Sequence, residues 1–172
     1  MKKSLLTAAI LVGVFFSASA QKFCYVDLEY ILNKIPSYTE AQKQLDKVSE
    51  GYQKDIDAKR KKVEAMFKSY QAEQVLMTEQ MKQQKIKELE TAEKEVIELK
   101  TAKFGPNGEL FKKRQELIKP IQDKLYDEVQ KYAQAKSYDF VFDKSSGPSM
   151  VFASEKFNKS DDILANMGIN KR

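Results

Sequence analysis

Few residues in this chain are of types that do chemistry, and their spacing argues against most of it. There is no histidine, which removes the commonest general base and metal ligand near neutral pH. The one cysteine, Cys24, lies in the strand-like run Phe23-Cys24-Tyr25-Val26 and reads as a small buried hydrophobe; alone, it allows no internal disulfide. Gly105 and Gly108 stand three apart, but they lack the lysine and the preceding strand of a phosphate cradle. No G-x-S-x-G elbow occurs. Carboxylate pairs such as Glu88/Glu90 and Asp127/Glu128 sit in charged runs and read as solvated helix surface. Asp161 and Asp162 follow Ser160, where the dipole of a helix start explains them better than a calcium loop. These residues predict no enzyme, no cofactor and no bound metal.

What remains is contact chemistry. Lys59, Arg60, Lys61 and Lys62, and again Lys112, Lys113 and Arg114, form basic clusters. They read either as solvated helix faces or as weak contacts for an anionic membrane surface or acidic polypeptide. Met66, Phe67, Tyr70, Val75, Leu76, Met77 and Met81 gather in one short region. Methionine adapts to varied partners, so these seven are candidates for an accommodating contact surface as well as for simple packing. Gly105, Pro106 and Pro120 are candidate hinges.

Long helices are needed to position such residues. From Tyr38 the apolar positions run Ala41, Leu45, Val48, Tyr52, Ile56, Val63, Met66 and Tyr70, with Lys59 filling the one open slot. Steps of three and four make a narrow heptad seam, and the intervening residues are mostly charged. Pro36 closes a short helix after Leu28, and Thr39 is the expected cap of the long one. A single helix from Thr39 to the turn signal Gly105-Pro106-Asn107-Gly108 would be about 97 Å long, against about 42 Å for the return to Lys136. The lengths balance better with a tip near residues 72–78, where Thr78 can cap a returning helix. The return carries its own seam: Leu89, Ala92, Val96 and Leu99, then Leu110, Leu117, Ile121, Leu125, Val129 and Tyr132.

The two ends read differently. Residues 1–20 have a basic start, an apolar run from Leu5 to Phe16 and the small-x-small site Ala18-Ser19-Ala20, as in a cleaved signal peptide. Export to the periplasm follows, away from ATP and nucleic acid. Removing Lys2 and Lys3 leaves 28 basic against 25 acidic residues, a net charge of +3. Lys22 to Asp27 reads as a strand, Tyr138 to Asp143 as a second, and Met150 to Ser154 as a third in a hairpin with it. A helix capped by Ser160 and ended by Gly168 closes the chain. The expected fold is α+β: residues 39–136 form an antiparallel helical hairpin projecting from a small sheet or barrel body of residues 21–38 and 137–172. Three short strands leave edges open, so oligomerisation is expected to complete the body by burying Phe23, Tyr25, Val26, Phe140, Val141, Phe142 and Phe152.

The segments Lys22 to Leu32, Phe104 to Ile121 (FGPNGELFKKRQELIKPI), Tyr138 to Asp143 and Ser160 to Gly168 together resemble the Skp/OmpH family of periplasmic chaperones. The resemblance implies a homotrimer with a β-barrel body and three helical arms around a cavity. It also implies an ATP-independent holdase for unfolded outer-membrane β-barrel proteins. Two other readings compete. One is a structural or adaptor coiled coil of the cell envelope. The other is a nucleic-acid binder, against which export and the lack of aromatics among the basic runs both count.

Overall fold

The computed structural model describes residues 21–147 and 150–169. The expected signal segment, residues 1–20, lies outside these, as do Pro148 and Ser149 of the expected hairpin turn. In chain order the elements are β1 (Phe23–Val26), α1 (Leu28–Lys34), α2 (Pro36–Glu73), a 3-10 turn (Gln74–Leu76), α3 (Glu79–Phe104), α4 (Glu109–Leu117), α5 (Lys119–Ala135), β2 (Phe140–Asp143), a second 3-10 turn (Glu155–Phe157) and α6 (Ser160–Asn166). None of the described helices is long and apolar enough to cross a membrane. The chain divides into two compact units, one made from its two ends up to Ile31 and from Asp127, the other spanning Leu32–Tyr126.

In the unit made from the ends, β1 and β2 pair in parallel, with Phe23 opposite Phe140 and Tyr25 opposite Phe142. Residues with period two share a face. Cys24 and Val26 are therefore together on one side, and both are buried, as are Ile31, Ile163 and Leu164. Asp27 caps α1 by accepting a bond of 2.8 Å from the Tyr30 amide. After α6 the chain reverses at Gly168, whose φ of +74° is a left-handed value that a glycine adopts without strain.

Three expectations about these elements are corrected. Among the described residues Met150 to Ser154 form no strand, and the sheet has two strands in parallel rather than a hairpin. β1 has β2 on one edge and, on the other, Tyr25 bridges Asn158 and accepts a bond from the Lys159 amide, whereas no described ladder bond joins Met150 to Ser154 to the outer edge of β2. Val151 and Phe152 are left 98% and 86% exposed. Ser160 does not use its side chain to cap α6; its hydroxyl accepts from the Asp27 amide at 2.8 Å and donates to Asn158 Oδ1. Finally, the long helix starts at Pro36 and not after Thr39. Proline has no N–H to lose at a first helical position, so the residue read as a stop acts as a start.

In the other unit, α3 packs back along α2. At 38 residues α2 is about 57 Å long. Ala41, Leu45 and Ile56 of its seam are buried, as is Leu89 of α3. A cluster of Ala41, Leu45 and Ile118, with Tyr38, Leu110, Leu117 and Ile121 packed against it, joins α2 to the start of α5 through α4. At the reversal Met77 N donates to Gln74 O, and the Thr78 hydroxyl accepts from the Met81 amide, which caps α3.

Candidate interaction surfaces

Two surfaces carry most of the exposed apolar area, one on each unit. On the sheet unit, Phe23, Phe140 and Phe142 share the face opposite the buried Cys24 and Val26, and each is about half exposed. Phe140 and Phe142 stack at 6.4 Å, and Phe23 stacks on Phe157 at 5.0 Å. With Met150, Phe152 and Tyr25, the rings of Phe23, Phe142 and Phe157 line an open cleft of about 450 Å³. Not all seven residues expected in the oligomer body are free for contact. Tyr25 and Val26 are buried within the single chain, Val141 is partly buried, and Phe23, Phe140, Phe142 and Phe152 are exposed. Tyr25 is held by its hydroxyl, which donates to Glu155 Oε1 at 3.2 Å.

On the helical unit the exposed apolar residues concentrate around the reversal. Val75 and Leu76 are 87% and 89% exposed, and Met66, Phe67 and Met81 are also exposed. Tyr70 and Met77 turn inward, lining a hollow of about 270 Å³ with Met66, Lys85 and Leu89. The seven residues singled out from the sequence thus separate into five on the outside and two that pack between the helices. A 3-10 turn has no inner face to hide two adjacent side chains, which is why Val75 and Leu76 stand out.

The basic clusters are mostly solvated. Arg60, Lys61, Lys62, Lys112 and Arg114 are exposed, while Lys59 bridges Glu95 at 2.9 Å and Lys113 bridges Glu116 at 2.9 Å. Arg114 also lines a small cleft with Tyr38, Gln42 and Gln122. The residues flagged as hinges lie at two helix breaks. α3 stops before Gly105 and α4 resumes at Glu109, while Pro120 occupies the second position of α5, where its missing N–H costs no helical bond. Among the described residues, no group of three or more Cys, Asp or Glu is placed to hold a metal ion.

The model of the family described as Outer membrane protein (OmpH-like) matches residues 22–167. The chain belongs to this OmpH-like family. An uncharacterized protein of Aquifex aeolicus (strain VF5) is 30% identical to it over 164 residues, which cover 95% of this chain and 94% of that one. The fold matches that of a solved candidate outer membrane chaperone (OmpH-like) from Caulobacter crescentus CB15. The TM-score is 0.65 at 11% identity, over 88% of this chain and 86% of that one.

This OmpH-like chain carries further exposed apolar side chains that were not singled out from its sequence: Ile86, Ile97, Phe111 and Tyr126. Ile97 and Phe111 fall outside the seam, each next to a residue that belongs to it (Val96, Leu110). Asking which apolar residues the heptad leaves unclaimed along the whole return would have found both.

Proposed function

We propose that this OmpH-like protein is a periplasmic chaperone that holds unfolded outer-membrane β-barrel proteins without ATP. The observation that carries the reading is the gathering of Met66, Phe67, Val75, Leu76 and Met81 as exposed apolar groups on a helical unit whose exposed residues are mostly charged or polar. Unfolded barrel strands present alternating apolar residues and unpaired backbone, and they aggregate by edge pairing. Scattered apolar groups set among solvated charges give many weak contacts, and release needs no ATP when insertion into a membrane is downhill. Membership of the family supports the reading, as does the candidate-chaperone description of its Caulobacter neighbour. On this account the exposed phenylalanines of the sheet unit are covered by other copies, in a homotrimer whose joined strands close the body.

The test is light scattering from a urea-diluted outer-membrane barrel protein, with and without the mature chain, alongside its mass in solution. Suppressed aggregation without ATP at a stoichiometric amount of a three-copy assembly is expected. Replacing Val75, Leu76 and Met81 together by serine should remove more than half of the suppression at unchanged mass, whereas Phe142→Asp should lower the mass. If a well-folded assembly leaves aggregation unchanged, the holdase reading fails and a structural coiled coil of the envelope becomes the better account.

A further inference from the structure

The break between α3 and α4 is closed by an interlock that nothing in the proposed function requires. Gly105 and Gly108 have extended backbone, so their need for glycine is spatial. A Cβ on Gly105 would lie 2.4 Å from the Thr101 carbonyl oxygen, and one on buried Gly108 would lie 2.9 Å from backbone atoms of Ala102, Lys103 and Gly105. Backbone bonds bind the same turn: Gly105 N to Thr101 O at 2.8 Å, Gly108 N to Gly105 O at 2.9 Å and Lys112 N to Gly108 O at 3.1 Å.

Side chains from three helices then close around it. Lys103, the next-to-last residue of α3, places its ammonium 2.7 Å from Glu109 Oε2 at the start of α4. The same ammonium sits 4.5 Å above the ring of Tyr52 on α2. That ring meets the edge of Phe104 at 6.2 Å. Among the described residues of the helical unit, Lys103 is also the least exposed cation in an ion pair, at 19%. A cation less open to solvent holds its anion and its ring more strongly than one in free water.

We propose that Tyr52, Lys103 and Glu109 form a latch that keeps the α3–α4 joint shut, so that Gly105–Gly108 hinges only when the latch is released. The three are positioning residues: they fix the start of α4 against α2 and leave the apolar groups around Leu76 untouched. The inference goes beyond the chaperone reading and stands whether or not that reading holds.

Hydrogen exchange of the full-length mature protein tests it. The probes are the amides of Gly105, Gly108 and Lys112, with the Ile163 amide, bonded to Lys159 O in the other unit, as internal reference. Lys103→Met keeps an unbranched stem over the Tyr52 ring but removes the ammonium, and Glu109→Gln keeps the shape of the carboxylate but removes its charge, so both variants preserve packing. Each is expected to speed exchange at the three break amides at least tenfold and to leave Ile163 unchanged. Unchanged exchange in both variants would overturn the latch, because glycine packing alone would then hold the joint. Unprotected break amides in the unmodified protein would also overturn it, since the break would then be a free hinge. So would a rise spread evenly over both units, because a latch acts on its own joint.

Discussion

The two units use their polar groups in opposite ways. In the sheet unit several polar bonds are directional and join residues far apart in sequence: Tyr30 to Asp161 at 2.9 Å, Tyr132 to Asp162 at 2.8 Å, and the Asp27 amide to Ser160, which is 133 residues away. Each ties α6 to a distant part of the chain, and each is partly buried. In the helical unit most ion pairs join residues three or four apart on one helix and stay in solvent, as in Lys68–Glu64, Lys82–Glu79 and Lys85–Glu88. The first kind of bond fixes a single geometry. The second keeps a helix soluble without specifying what it meets. The exposed apolar residues follow suit: a periodic row of phenylalanines on the sheet suits one repeated partner, whereas the irregular group around Leu76 suits many.

The largest effect that separates the units comes from the core of the smaller one. Ile163 is fully buried, and Ile163→Ala is expected to destabilise the sheet unit by about 2–5 kcal/mol through lost burial and a residual cavity. Urea unfolding followed by the tyrosines of that unit should show the loss. Hydrogen exchange along α2, at Leu45 and Ile56, should stay slow. If those amides lose protection in step, the units unfold as one and the contrast drawn between them is too strong.

A smaller effect tests whether the directional bonds matter. Burial, then the hydrogen bond and charge of Asp162, push the Tyr132 hydroxyl above the ordinary tyrosine range, with Tyr138 and Cys24 as weaker neighbours acting in the same direction. A raised folded value favours the protonated tyrosine. Its contribution is therefore complete below about pH 10, the unfolded value, and is lost as pH rises through the folded one. Tyr132→Phe keeps the ring stacked on Tyr138 and should cost about 1 kcal/mol at pH 8, at the lower end for a bond to a half-exposed carboxylate. The gap in urea midpoint between the two proteins should narrow between pH 8 and pH 11. A gap that does not change with pH would mean that the ring, not the hydroxyl, pins α6.

What the sequence made legible follows the same division. The seam from Ala41 to Ile56 is local and periodic, so it can be read from spacing, and so can Thr78 as a helix start, because a cap acts on its own next turn. The family fold is legible too, in segments such as Phe104 to Ile121. The misreadings concern residues whose partners are remote. Ser160 carries a cap signature, but its hydroxyl is claimed by an amide near the other end of the chain. Val151 and Phe152 have strand-like composition, but composition does not decide whether a run pairs with the outer edge of β2, and this one does not. Pro36 is ambiguous by nature, since one residue type both ends and begins helices, and only the backbone around Ile35 decides. The meeting of Tyr52 with Lys103 and Glu109 is not legible for a related reason: the ion pair stands six positions apart across a helix break, and no helical spacing predicts it.

The smallest expected effect is the sharpest check on the charged surface. Lys59 and Glu95 link α2 to α3 at 2.9 Å, the geometry of a good ion pair, yet their side chains are 41% and 56% exposed. Attraction between exposed charges is weakened by water and salt, and holding two long side chains still offsets much of what is left. A double-mutant cycle with Lys59→Met and Glu95→Gln should therefore give a coupling below about 0.5 kcal/mol, falling further with added salt. The same cycle on Lys103 and Glu109 should give a larger coupling, because Lys103 is less exposed and Tyr52 shares in the contact. Equal couplings would remove the distinction between a pair that only solvates the arm and one that holds a joint. A coupling above about 1 kcal/mol at Lys59 would mean that charge, as well as the apolar seam, clamps α2 to α3.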